Sequence, residues 1–110
     1  MTTEDLNEIS LIGSIVSDVE MIEKSHGGRF GKFDLLVTSI YNNREGRQFF
    51  KVCVFNEKYF PILESLKISN KVFVRGLVRT RKVRSETSEE SVVSEIVVTP
   101  PSGRLGIFSF

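Results

Sequence analysis

The chain has 110 residues, 40% of them hydrophobic, which is room for one core and excludes a second domain. Its 15 Lys and Arg against 14 Asp and Glu leave a formal net charge of +1, so no global basic field announces a polyanionic partner and any electrostatic site must come from placement. The single cysteine, Cys53, excludes an internal disulfide, the acidic and polar start from Met1 to Glu8 is no secretory leader, and no run approaches the roughly 20 apolar residues of a membrane span, so a soluble protein of the reducing cytoplasm is expected.

Met1 to Asp5 reads as a lead-in. From Glu8 to Val16 apolar and polar residues alternate, with Ile9, Leu11 and Ile15 on one face, which predicts a first strand with a bend or bulge at Gly13. Ser17-Asp18 is a turn signal, Val19 to Ile22 a short extension, and Lys24-Ser25-His26-Gly27-Gly28 a loop. Arg29 to Tyr41 is the second strand, where Phe33, Leu35 and Val37 share a parity with Tyr41. Asn42 to Gly46 is a hairpin loop, and Arg47 to Phe55, dense in Phe and Val, is the third strand. The period then changes. Tyr59, Ile62, Leu63 and Leu66 fall at i, i+3, i+4 and i+7, one face of a helix, with Asn56 as N-cap and Pro61 requiring a late start. Lys71 to Arg81 is a fourth strand interrupted by Gly76, Lys82 to Ser91 a charged loop, and Val92 to Val98 a fifth strand. Pro100-Pro101-Ser102-Gly103 ends the regular structure. Three strands, one helix and two strands predict an all-β OB-fold: a five-stranded Greek-key barrel with one helix between strands three and four. The barrel is expected over residues 1–99, with 100–110 a short C-terminal tail without an acidic tip.

No catalytic machinery is expected. His26 sits in a Gly-rich loop and Cys53 mid-strand, neither with a partner at metal-ligand spacing, and no nucleophile elbow, Walker loop or paired-cysteine motif occurs. Neither a metal nor a cofactor is implied. Gly28-Arg29-Phe30-Gly31 matches the G-x-x-G of a KH loop, but that loop joins two helices and strand-like residues follow here. Arg29-Phe30-Gly31-Lys32-Phe33 shares residues with the RRM aromatic motif at the wrong spacing, in a chain without the two helices an RRM needs.

The informative pattern lies on strands three and four. Side chains alternate, so Phe49, Lys51, Cys53 and Phe55 share one face and Phe50, Val52 and Val54 the other. On the fourth strand Lys71, Phe73, Arg75, Arg79 and Arg81 share a parity, opposite Val72, Val74, Val78 and Thr80, unless a bulge at Gly76 swaps the halves. Aromatic and basic groups line up on both strands, with Lys32 and Arg47 adding cations nearby. That mixture suits single-stranded nucleic acid, whose bases stack on rings and whose phosphates attract Lys and Arg, without need of a particular base sequence.

The chain resembles the bacterial-type single-stranded DNA-binding protein family. The matching runs are Leu6-Asn7-Glu8-Ile9-Ser10-Leu11-Ile12-Gly13, Gly27-Gly28, Phe49-Phe50-Lys51-Val52-Cys53-Val54-Phe55 and Ser94-Glu95-Ile96-Val97-Val98, with Val72-Phe73-Val74-Arg75-Gly76-Leu77-Val78-Arg79-Thr80-Arg81-Lys82 the most specific. The resemblance implies an OB-fold that assembles into tetramers and shields single-stranded DNA in replication, repair or recombination. It places base-stacking aromatics on Tyr41, Phe49 and Phe55, a further aromatic on Phe73, and basic positions on Lys51, Arg79, Arg81 and Lys82. The chain departs from the family in having no Trp, in carrying Val83 at a fourth stacking position, and in the acidic Glu86, Glu89 and Glu90 of the Ser85–Ser91 loop. Phe50 stands where the family has a histidine at subunit contacts. No acidic Pro-Phe tip follows Glu95, so recruitment of replication enzymes through one is not expected; the apolar end at Ile107 to Phe110 is expected to pack on the barrel or on a neighbouring subunit instead. Two alternatives stand beside this reading. One is a dimeric primosomal replication-restart protein, and the other an OB adaptor module that no longer binds nucleic acid.

Overall fold

Period-2 segments become strands throughout the computed structural model, which describes residues 5–84, 86–87 and 89–108. The described strands are β1 (Ile9–Ile15), β2 (Glu20–Glu23), β3 (Arg29–Tyr41), β4 (Arg44–Val54), β5 (Lys71–Arg84), β6 (Glu90–Val98) and β7 (Arg104–Ile107). Between β4 and β5 a 3-10 turn at Glu57–Tyr59 leads into helix α1 (Phe60–Ser65). Pairing runs β1-β3-β4-β6-β5, and β5 returns to β1, so five strands close into a barrel while β2 adds to β3 and β7 to β5. The parallel pair β4–β6 among antiparallel neighbours is the mark of the Greek-key OB arrangement expected from the element order.

One parity of every barrel strand points inward. Ile15, Phe33, Leu35, Val52, Val54, Val72, Val74, Ile96 and Val98 fill the interior, and Tyr59, Phe60, Leu63 and Leu66 from the helical segment close one end. Each such aliphatic contributes about 1.5–3 kcal/mol by leaving water. Helix α1 starts late, as Pro61 requires, so Asn56 caps the 3-10 turn rather than α1: its side chain accepts a hydrogen bond from the Lys58 amide at 3.4 Å, and Tyr59 stands at the start of α1 without a side-chain cap.

Three boundaries differ from expectation. The hairpin between β3 and β4 turns on Asn42 and Asn43 alone, with φ of 51° and 60°, so the expected Asn42–Gly46 loop is a two-residue turn and β4 begins at Arg44. The expected Lys82–Ser91 loop is shorter at both ends, since β5 continues to Arg84 and β6 begins at Glu90. Both errors have one cause. These hairpins project beyond the barrel as two-stranded ribbons wet on both faces, so polar residues at every position are compatible with strand there. The third concerns the chain after Gly103. Regular structure does not end there, because β7 pairs with β5 from Arg75↔Arg104 to Val72↔Ile107 and Leu105 enters the core.

Gly76 does not swap the faces of β5. Val78 pairs with inward-facing Ile96 and Arg79 with Glu95, continuing the parity of Val72 and Val74. A Cβ at Gly76 would fall on the Val97 carbonyl, so this glycine is what lets β6 pass close beside β5.

Candidate nucleic-acid interface

Cross-strand partners share a face, so the ladders decide which side chains meet. On the outer face β4 carries Arg47, Phe49, Lys51 and Cys53, and β3 sets Thr38, Leu36, Asp34 and Lys32 opposite them. On the other side β6 brings Glu95 beside Lys51, and β5 brings Arg79 opposite Glu95, with Arg81 two residues on. Two concavities run along this face. One, of about 430 Å³, is lined by Val16, Asp34, Phe49, Phe50 and Lys51. The other, of about 220 Å³, is lined by Lys32, Lys51, Cys53, Arg79, Arg81 and Glu95 with Ile22 and Phe30. Lys51 belongs to both, and so stands between an aromatic groove and a basic one.

The Phe49 ring is 67% exposed, a large apolar surface held out to solvent on a regular strand. Lys32 and Lys51 make no ion pair with any described residue. Arg79 and Arg81 are engaged: Arg79 Nη2 donates to Glu95 Oε2 at 2.8 Å, and Arg81 Nε donates to Glu95 Oε1. The Cys53 thiol donates to the same carboxylate at 3.3 Å. Burial pushes the Glu95 carboxyl up, but the hydrogen bonds from Arg79, Arg81 and Cys53 and the charge of Arg81 outweigh it and hold the pKa down at about 2. Burial first, then the bond to Glu95, pushes the Cys53 thiol up to about 11. This cysteine is a packed structural group, not a nucleophile.

The other residues singled out from sequence are dispersed. Phe55 continues the outer face of β4, but its ring stacks on Phe30 with centroids 4.9 Å apart, and Lys24 and Arg79 lie over it at 5.1 and 5.5 Å. It is half-buried, and its ring is engaged by these protein groups. Tyr41 is 79% exposed at the tip of the β3–β4 ribbon, but it pairs with Arg44 and so has the parity opposite to Phe49. Arg47 reaches Glu45 at 3.6 Å. Lys82 pairs with Val92 on the β5–β6 ribbon and is one residue out of phase with Arg81. Phe73 and Arg75 do share the parity of Arg79, yet they lie where β5 runs between β1 and β7. There Arg75 bonds Ser10 at 3.1 Å, pairs with Glu8 at 3.4 Å and lies over Phe73 at 5.7 Å. Parity sets the face of a strand, but a 14-residue strand wraps far enough round a barrel to put its two halves on different flanks.

Sequence reasoning missed Glu95, Phe30 and Lys24. Alternation with Ile96 and Val98 would have placed Glu95 outside, and nothing in one strand reveals that three side chains from β4 and β5 cover it. Phe30 was within reach, because it shares the parity of Lys32. Among the described residues no group of His, Cys, Asp and Glu could hold a metal, and no helix is long and apolar enough to cross a membrane.

Comparison with known proteins gives a family and a fold. The model of the single-strand binding protein family matches residues 6–102. Among solved structures the chain is similar to the protein in a Plasmodium falciparum SSB complex with ssDNA, at a TM-score of 0.89 and 19% identity over 99% of this chain and 100% of that one. It is also similar to a small single-stranded DNA-binding protein from Streptomyces coelicolor, at a TM-score of 0.70 and 20% identity over 92% of this chain and 93% of that one.

Proposed function

The chain belongs to the single-strand binding protein family, and from that premise we propose that it binds single-stranded DNA without base-sequence preference along the outer face of β4. The observation that carries this reading is the juxtaposition of the exposed Phe49 ring with the unpaired Lys51 and, beyond it, the guanidiniums of Arg79 and Arg81. A base stacked on Phe49 lies in the aromatic groove, its phosphate meets Lys51, and the next phosphates meet Lys32, Arg79 and Arg81. Each stacked base contributes about 1–3 kcal/mol, and each neutralised phosphate releases counterions. Arg47 extends contact along the β3–β4 ribbon on the same face, and Tyr41 and Lys82, which face the other way on their ribbons, are met where the strand passes round the ribbon edges. Phe55 supports Arg79 from below, and Phe73 and Arg75 lie off this track. The protein acts by binding alone, with no catalytic step and no cofactor, in replication, repair or recombination. We infer a cytoplasmic homo-oligomer, a tetramer or a dimer, which light scattering after size exclusion distinguishes.

Titration with oligo-dT at low and then moderate salt, followed by tyrosine fluorescence, tests the reading. Tyr59 is 8% exposed beneath the helical cap, so Tyr41 is the ring able to report. Saturable quenching that weakens with salt and is lost in Tyr41→Phe is expected. A flat titration, with no gel shift at low salt, would overturn single-strand binding and leave an OB module that works through protein contacts.

A further inference from the structure

Glu95 is 3% exposed, the one charged side chain among the buried described residues, and it sits at the centre of a basic face. A carboxylate there opposes a polyanion, so its presence calls for a physical reason. We propose that Glu95 is a positioning residue of the DNA site: its carboxylate fixes the Arg79 and Arg81 guanidiniums at the sheet surface, and DNA binds with both bridges intact. The inference rests on the single-strand reading above and deepens it.

The geometry separates the two ends of each arginine. Arg79 spends one Nη2 donor on Glu95 Oε2 and Arg81 its Nε on Oε1, so most of their N–H donors stay available for phosphate oxygens. Arg79 is held on a second side by the Phe55 ring at 5.5 Å, which itself stacks on Phe30. Phosphate cannot simply draw the arginines away, because a buried carboxylate stripped of its partners is strongly disfavoured and the Cys53 thiol alone would not satisfy it. The anion therefore remains covered in the complex. Lys32, Lys51, Arg79 and Arg81 around this one carboxylate leave the groove cationic. A free arginine loses rotamer freedom when it meets phosphate, whereas one already pinned by Glu95 loses less.

Two models of Glu95 predict opposite signs. If it only screens the arginines, Glu95→Gln binds oligo-dT more tightly and with a steeper salt dependence. If it positions them, Glu95→Gln binds roughly two- to tenfold more weakly although the net charge has risen by one. We expect the weaker binding; tighter binding would overturn the proposal. Glu95→Gln also tests folding, so urea unfolding is measured beside it and a second variant is used at an exposed position. Arg81→Lys keeps the charge but cannot present a planar fork to Glu95 and phosphate together. It is expected to bind more weakly at every salt concentration, and the Glu95→Gln/Arg81→Lys double variant to lose little more than either single one. A purely structural Glu95 would lower the urea midpoint without coupling to Arg81 in binding. Full affinity in Arg81→Lys, or strict additivity in the double variant, removes this proposal while leaving the function standing. Absence of binding by the unaltered protein removes both.

Discussion

The Glu95 carboxyl carries a pH signature. Its pKa is lowered from an ordinary 4.5 to about 2 in the folded protein, so its ion pairs contribute stability that is present above about pH 4.5 and lost as the pH falls through 2. The pairs of Glu8, Glu45, Glu64 and Glu90 are solvent-exposed, and pairs of that kind contribute little to stability. The urea midpoint of the unaltered protein is therefore expected to drop between pH 4.5 and 2 by more than that of Glu95→Gln, and equal drops would show that Glu95 is not the responsible group. Cys53 makes a second residue-scale prediction. With its thiol pushed up to about 11 and covered, it should react with a disulfide reagent at pH 8 far more slowly in the native protein than in denaturant. Phe49 behaves in the opposite way, being exposed and on the binding track. Phe49→Ala should weaken oligo-dT binding by about 1–3 kcal/mol and leave the urea midpoint nearly unchanged.

At the scale of elements, the two ribbons carry the lesson. Strand β4 was legible from Arg47 to its end at Val54, one residue short of the expected Phe55, where an apolar face alternates with a mixed one. Its first turn was not, because Arg44, Glu45 and Gly46 face water on both sides and carry no period. The Asn42-Asn43 pair was visible as a turn signal, but its length was decided by backbone sign: both residues adopt positive φ, the geometry that matches strand twist in a two-residue hairpin. Asn43→Gly should accordingly be neutral or slightly stabilising, and Asn43→Val should cost about 1–2 kcal/mol, both read as shifts in thermal midpoint. A longer, flexible loop would leave the two variants alike. The helix shows the reverse balance. Its face of Tyr59, Ile62, Leu63 and Leu66 was read from spacing alone; Tyr59, Leu63 and Leu66 are buried against the barrel end, and Ile62 packs beside them partly buried.

For the whole molecule, closure is the decisive event. Joining β5 to both β1 and β6 turns a sheet into a barrel and commits Gly13 and Gly76 to positions where a Cβ would strike the backbone of β3 and β6. The same closure recruits β7. Leu105 is 4% exposed beside Val74, so Leu105→Ala should destabilise the protein by about 2–5 kcal/mol in urea unfolding, whereas a residue in a loose tail would change it by well under 1 kcal/mol. The sequence by itself determined the all-β class, the place of the single helix, the inward parity of β3, β4 and β5, and the family, because each is encoded by local period or by runs of neighbouring residues. The tertiary structure decided which of the matching side chains meet. Parity assigns a residue to a face but not to an angle around the barrel, so Phe73 and Arg75 separate from Arg79 and Arg81; register puts Tyr41 on the face opposite to Phe49, and the Phe55 ring stacks on Phe30. Glu95, unremarkable within its own strand, acquires its partners only when β4, β6 and β5 are laid side by side.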